Sequence, residues 1–180
     1  IVFDNNALLN LTSKVFKDPY TSYLHTNQLI SAAMSSITNS IRFPSYMYNS
    51  LSSIFSTLIP TPELHFLIPG FTPFTSDYVI DGKEYKNNTP YDVLLDLFDG
   101  SSSLVSRNTD SPTYFGAYCS LIGNVEQNDI LRAISKAQQR LSFAPWSYSS
   151  VHVNVGRRSP YLAPQSHQNH TNGLILSNTS

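Results

Sequence analysis

Charge is scarce in this chain. Asp, Glu, Lys and Arg make up 13% of its 180 residues, against roughly 25% in ordinary soluble domains. Eleven basic and twelve acidic side chains leave a net charge of −1, so nothing electrostatic favours nucleic acid or an anionic membrane as a partner. A single cysteine, Cys119, excludes an internal disulfide and a multi-thiolate zinc centre. No apolar run is long enough to cross a bilayer as a helix, and no basic-then-apolar leader opens the sequence. The seven glycines, at 70, 82, 100, 116, 123, 156 and 173, never cluster into a phosphate-cradling loop. Gly-x-Ser-x-Gly is also missing, so no hydrolase nucleophile is offered by motif.

What remains is an apolar, hydroxyl-rich sequence. Its 41% hydrophobic and 12% aromatic content is enough for a packed core, and the length suits one domain. Ser, Asn and Thr take the polar share, giving a surface weakly defended against association, as befits a subunit of an assembly. Asn-x-Ser/Thr sequons at Asn10, Asn87, Asn169 and Asn178 follow from this composition. The chain opens at Ile1-Val2-Phe3-Asp4 and stops at Ser177-Asn178-Thr179-Ser180, mid-pattern at both ends, and reads as a piece of a longer protein.

Periodicity predicts an α/β chain, a mixed sheet flanked by helices. Ala7, Leu8, Leu11, Val15 and Phe16 recur at helical spacing over 4–16, with Asp4 or Asn5 as cap. From Pro19 to Ile41 there is no charged residue. Tyr23, Asn27, Ile30, Met34, Ile37 and Ile41 form one helix face there, and small residues from Ser31 to Ser36 form the other. A helix uncharged all round is expected to be buried all round. Pro44 ends it, a second helix is expected over 46–58, and Leu64 to Ile68 reads as a buried strand. Residues 71–89 read as a long loop, Pro90 as the start of a short helix, and 100–111 as loop. Tyr114 to Ile122 reads as a strand. Asn124-x-x-Gln127 resembles a capping box before an amphipathic helix carrying Ile130, Leu131, Ile134, Ala137 and Leu141. Val151 to Val155 alternates with period 2, residues 163–172 read as surface loop, and Leu174 to Leu176 offers a last strand.

Chemistry is thinly represented. His167-x-x-His170 lacks a carboxylate or thiol nearby and reads as loop rather than metal ligands. Asp92 and Asp96 read as a wet helix face rather than an acid–base pair. His65 reads as a core histidine, and Arg157-Arg158 is too short a basic cluster for nucleic acid. Tyr23 and Asn27 stand apart, because spacing of four sets an aromatic face beside an amide on a helix expected to be buried. A buried amide needs a partner. That partner is either a backbone group or a planar heterocycle stacked on Tyr23.

Four motifs carry a family resemblance over essentially the whole chain. Asp4-Asn5-Asn6-Ala7-Leu8, Asn27-Gln28-Leu29-Ile30-Ser31, Arg42-Phe43-Pro44 and Ile59-Pro60-Thr61-Pro62-Glu63-Leu64-His65-Phe66 follow one another as in the tubulins. Pro44-Ser45-Tyr46-Met47, Ala144-Pro145-Trp146 and Arg158-Ser159-Pro160-Tyr161-Leu162 resemble the γ branch, and the wealth of Ser and Asn is similar to its budding-yeast members.

The resemblance implies that residues 1–47 end a GTPase domain with its core helix, and that 48–180 are an intermediate domain, incomplete at its C-terminus. It implies GTP or GDP as cofactor in the intact protein, with Mg accompanying the nucleotide but not held by these residues. Guanine contacts are carried over onto Asn5, Tyr23 and Asn27. A longitudinal interface falls on Arg42, Phe43, Pro44, Ser45 and Ser53, and a lateral interface loop on Asp77, Lys83 and Tyr85. Ser53 replaces the glutamate by which α-tubulin activates its neighbour's nucleotide, so no such activity is expected; Tyr48 stands where the family usually has Asn. The implied role is structural, templating microtubule nucleation at a microtubule-organising centre such as the spindle pole body, including its nuclear side. The implied partners are γ-tubulin complex proteins, the α/β-tubulin dimer and a neighbouring γ-tubulin. Competing readings are an α/β-type polymerising subunit and a small complete α/β enzyme. If the phosphate-binding half lies outside this chain, base stacking alone, worth roughly 1–3 kcal/mol, leaves the isolated piece with millimolar or poorer affinity for GTP. Calorimetry that found micromolar binding would contradict this.

Overall fold

The computed structural model describes residues 1–16, 23–43, 47–72, 89–106, 112–123, 125–147, 150–156 and 171–180. In chain order these form α1 (Asn5–Phe16), α2 (Tyr23–Ile37), α3 (Asn39–Arg42), α4 (Leu51–Leu58), β1 (Ile68–Thr72), α5 (Pro90–Phe98), a 3-10 turn (Gly100–Ser102), β2 (Thr113–Ile122), α6 (Gln127–Arg140), β3 (Ser142–Phe143), β4 (Val151–Gly156) and β5 (Asn172–Thr179). The expected mixed sheet with flanking helices is present.

The last strand is the middle of the sheet. β5 pairs antiparallel with β1 on one side and with β2 on the other. β3 and β4 share the far edge of β2, both parallel to it, β3 at Thr113–Tyr114 and β4 from Ala117 to Ile122. Parallel neighbours need a crossover, and α6 supplies it between β2 and the β3–β4 edge.

Alternation along the inner strands builds two cores, one on each face of the sheet. Tyr118, Leu174 and Leu176 join Leu8, Leu11, Leu29, Ala33, Ile54 and Leu58 from α1, α2 and α4. Ala117, Cys119, Leu121 and Ile175 join Val93, Leu94, Leu97 and Ala133 from α5 and α6. With both faces covered, β5 is apolar at three successive positions. Helix α5 lies so close that a Cβ on Gly173 would stand 2.7 Å from a Val93 methyl and 2.8 Å from a Leu97 methyl. Only hydrogen fits there.

Local signals explain several element starts. The Thr89 hydroxyl accepts from Asp92 N and donates to Asp92 Oδ2, and Pro90 fills the first helical position of α5. Asp92 and Asp96 are exposed, as the wet-face reading has it. Ser50 caps α4 by accepting from Ser53 N at 3.2 Å, so that helix begins at Leu51 rather than at 46. Gln127, expected inside the first turn, opens α6, and Glu126 before it makes no side-chain cap bond; Asn124 of the expected capping box lies outside the described residues.

Other expectations shift. The strand predicted over Leu64 to Ile68 runs instead from Ile68 through Pro69 and Gly70 to Thr72. His65 is exposed, with its Nδ1 2.7 Å from the Pro62 carbonyl, so it is no core histidine. Within 100–111, read as loop, Gly100–Ser102 forms a 3-10 turn, Ser103 bridges to Gly70, and Leu104 is fully buried. On α6, Ala133 and Ala137 are buried while Leu131 is exposed. Thr171 is buried and Asn172 already belongs to β5, so neither is part of the surface loop expected over 163–172, whose other residues lie outside the described ones.

β5 outruns its apolar centre because Ser177 and Asn178 are buried polar residues with partners. The Asn178 amide donates to the carbonyls of Leu58 at 2.9 Å and Leu64 at 2.7 Å, tying the end of α4 and the approach to β1 onto the central strand. Asn178→Ala should destabilise by about 1–3 kcal/mol, the usual effect of stranding buried partners. Asn178→Asp should destabilise more, because a carboxylate offers two carbonyls nothing but acceptors. Urea midpoints at unchanged m-value test the order; equal losses would remove the donor role.

Candidate functional site

The chain's N-terminal segment is stitched into the domain by its backbone. Val2 N donates to Leu67 O at 3.0 Å, and Asp4 N donates to Leu104 O at 3.1 Å. Asp4 then caps α1, its Oδ1 accepting from Asn6 N at 3.1 Å while Leu8 N reaches its carbonyl. Its other oxygen, Oδ2, accepts from Ser106 N at 3.3 Å. The Ser106 hydroxyl, then the Asn6 amide, hold the Asp4 carboxyl below the usual carboxylate range. Asn5 follows, exposed in the first turn of α1.

Helix α2 packs against α1 through Leu29, Ala33 and Ile37, which meet Leu8 and Leu11. Its buried residues are Thr26, Leu29, Ala33, Ser36 and Ile37, so the face toward the core includes the small side chains. The face read as apolar is largely open: Tyr23 is 78% exposed and Met34 52%, and Asn27 is exposed as well. The expected all-round burial is overturned for these residues. An uncharged helix offers two faces of similar polarity, and close approach to α1 and the sheet favours the small one. The expected central helix also ends early, at Ile37; Thr38 separates it from the short α3.

Tyr23 and Asn27 thus stand one turn apart on an open helix face, with Asn5 on the adjoining helix. Because Asn27 is exposed, burial forces no partner on it. A flat ring beside a solvated amide fits a planar base, which stacks on one and presents a hydrogen-bonding edge to the other. Arg42 is engaged locally: its Nη2 donates to the Ser35 carbonyl at 2.6 Å and to Ser35 Oγ at 2.7 Å, and its guanidinium lies 5.6 Å from the Phe43 ring centre. Ser53 sits half-buried in the first turn of α4. Pro44, Ser45, Asp77, Lys83 and Tyr85 lie outside the described residues, as do the Arg158–Leu162 motif and His167 and His170. Among the described residues no group of three His, Cys, Asp or Glu could hold a metal, and no helix is long and apolar enough to cross a membrane.

Sequence reasoning missed a polar cluster beneath the segment that leads into α4. Tyr48 has φ 61°, a left-handed conformation that costs a non-glycine residue roughly 1–2 kcal/mol. Its ring is buried, packs edge-on to Tyr118 at 5.2 Å, and its hydroxyl shares a 2.6 Å hydrogen bond with His152 Nδ1. Those contacts offset the backbone strain. Burial pushes the Tyr118 hydroxyl pKa up, and the nearby Ser40, Asn154 and Ser120 side chains counter it. A Cβ on Gly156 would lie 2.6 Å from the Asn39 amide, so the strand end is glycine where α3 crosses it. The alternation of Val151 to Val155 was the available signal, but polarity does not mark the open side at the strand's end: Asn154 is buried, while Val155 is 42% exposed.

Burial holds the His152 pKa below its ordinary value of 6.5. On unfolding, the ring regains that ordinary value, so as pH falls the unfolded chain takes up the proton first. The neutral, half-buried ring therefore carries no penalty above about pH 6.5, and stability drops as pH falls from there toward the depressed folded value. His152→Gln should flatten this part of the stability profile. Urea midpoints between about pH 5 and 7.5, with the imidazole followed by NMR, check it; an unchanged slope would place the titration on another group.

Residues 62–180 match the family described as the tubulin C-terminal domain. Over 181 aligned residues the chain is 66% identical to the tubulin gamma chain of Candida glabrata, covering 100% of this chain and 39% of that protein. It is 60% identical to the tubulin gamma chain of Eremothecium gossypii and 59% identical to that of Saccharomyces cerevisiae, in each case over 180 residues, 100% of this chain and 38% of the relative. The chain spans about two fifths of the length of these curated relatives. Its mixed sheet closed by a central last strand, and a family match covering all of that sheet, lead to one conclusion: the chain belongs to the tubulin C-terminal domain family.

Proposed function

We propose that this chain is part of a γ-type tubulin, a guanine-nucleotide-binding structural protein that templates microtubule nucleation. The observation that carries the reading is identity of 59% to 66% to three tubulin gamma chains with every residue of this chain aligned. On this reading residues 1–47 end the nucleotide-binding domain and 48–180 form most of the intermediate domain. The start of the family match at residue 62 supports a boundary before β1.

The open face of α2 supports the nucleotide role. Tyr23 supplies the stacking surface and Asn27, one turn away, reads the edge of the base, with Asn5 of α1 as the third contact. GTP or GDP supplies negative charge and order at this end of the subunit, and the phosphates with their Mg fall to residues outside this chain. No side chain here is assigned a catalytic role; slow hydrolysis by the intact protein would draw on other parts of it. Arg42, Phe43, Pro44, Ser45 and Ser53 form the longitudinal surface in this proposal, met by a γ-tubulin complex protein. Asp77, Lys83 and Tyr85 form the lateral one, toward a neighbouring γ-tubulin, while the α/β-tubulin dimer adds to the template. The site of action is the cytoskeleton, at a microtubule-organising centre such as a spindle pole body.

In the full-length protein, Asn27→Ala should weaken GTP binding and relax the preference for GTP over ATP, since a site built around a hydrogen bond rejects ligands lacking it. Unchanged affinity and preference would return Asn27 to an ordinary surface role. The nucleation reading has its own check: purified full-length assemblies should shorten the lag of α/β-tubulin polymerisation. Ser53→Glu should weaken capture of the complex protein, because a carboxylate would be pressed into an interface without a partner. Wild-type capture would assign that face to another neighbour.

A further inference from the structure

We infer that Asp4 is a positioning residue for the nucleotide end of the molecule, holding Asn5 in place and coupling it to the Leu104–Ser106 segment beside the sheet. The inference rests on the reading of Asn5 as a guanine contact. Asn5 itself makes none of the anchoring bonds described for this corner; its neighbours make them all. On its N-terminal side Asp4 N is bound to Leu104 O at 3.1 Å. On its C-terminal side Asn6 N is bound to Asp4 Oδ1 at 3.1 Å. The remaining oxygen, Asp4 Oδ2, accepts from Ser106 N at 3.3 Å. One carboxylate therefore does two jobs: one oxygen shapes the first turn of α1, and the other grips a segment 102 residues away in sequence.

That distant segment is anchored in turn. Leu104 is fully buried and its N–H donates to Pro69 O of β1 at 2.9 Å, while Ser103 bridges to Gly70. The Ser103 hydroxyl turns the chain by donating to Val105 O at 2.9 Å and accepting from Val105 N at 3.3 Å. The path from Asn5 to the first strand thus passes through the backbone N–H and the side chain of Asp4 and one tight turn. A base held by Asn5 restrains this frame, and by linkage a change in the frame alters the hold on the base by the same factor.

The cap and the grip can be separated by substitution. Asp4→Asn keeps a capping oxygen for Asn6, since Asn caps as well as Asp, but turns an NH2 group toward the Ser106 N–H and so removes the bond to that amide while leaving the cap. In the full-length protein, Asp4→Asn should leave folding intact by circular dichroism and weaken GTP binding on the order of three- to tenfold, about 0.7–1.4 kcal/mol. Ser106→Pro, which deletes both the N–H and the hydroxyl that face Asp4, should weaken it similarly, and the double variant should weaken it no further than the weaker single one. Independently of any variant, GTP should slow hydrogen exchange at the amides of residues 104 to 106 in the wild-type protein. Wild-type affinity in Asp4→Asn, additive losses in the double variant, or exchange indifferent to GTP would each overturn the inference. Asn5→Ala is the control. If it weakens binding while Asp4→Asn does not, only the coupling fails; if Asn5→Ala binds GTP normally, the guanine reading fails and takes the coupling with it.

Discussion

β1 and β2 run in the same direction but do not touch, because β5 lies between them and hydrogen-bonds to both. Every layer of the fold depends on that insertion. The core shared with α1, α2 and α4 needs Leu174 and Leu176, and the core shared with α5 and α6 needs Ile175. Without β5 the two strands would face each other across a gap with unpaired backbone and apolar side chains on both sides. The pairing is also distant in sequence, Ile68 with Ser177 and Thr72 with Gly173. Loop closure must be met before the sheet returns any stabilisation, which places this fold on the slow side of the topology scale.

The parts of the fold that were legible in sequence are those where local chemistry and tertiary burial agree. α1, α5 and β2 are examples: caps, a proline at the first helical position and a continuous apolar run each left one reading. Legibility failed where a polar residue was buried or an apolar face was left open. Ser177 and Asn178 look like the end of a strand, yet the Asn178 amide has two carbonyls to satisfy and so continues β5. His152 and Asn154 look like the wet side of β4, yet the Tyr48 hydroxyl gives His152 its partner and Asn154 is buried. α2 had no charges to mark its outer face, so periodicity alone could not orient it.

The candidate site was legible in a different way. Burial was the original physical argument for Asn27, and the exposed amide removes that argument. What supports Asn27 now is family resemblance together with a geometry that leaves the amide and the Tyr23 ring open to a ligand. Asp4 was noticed in sequence only as a possible cap. Its second bond, to Ser106, reaches across more than half the chain and leaves no local trace in composition or spacing.

The lone cysteine sits at the seam described above. Cys119 is fully buried, paired in register with Ile175 of β5 on one side and Val153 of β4 on the other. Burial pushes its thiol pKa far up, so in the closed sheet it is neither ionised nor reachable. Its side chain lies against Val93, Leu94 and Leu97 of α5 and Ala133 of α6, so a thiol reagent reaches it only while that helical layer opens from the sheet. Cys119 is the one sulfhydryl of this chain, so the rate of that covalent event at residue 119 is a stopwatch for the opening of the layer between the sheet and its α5–α6 cover.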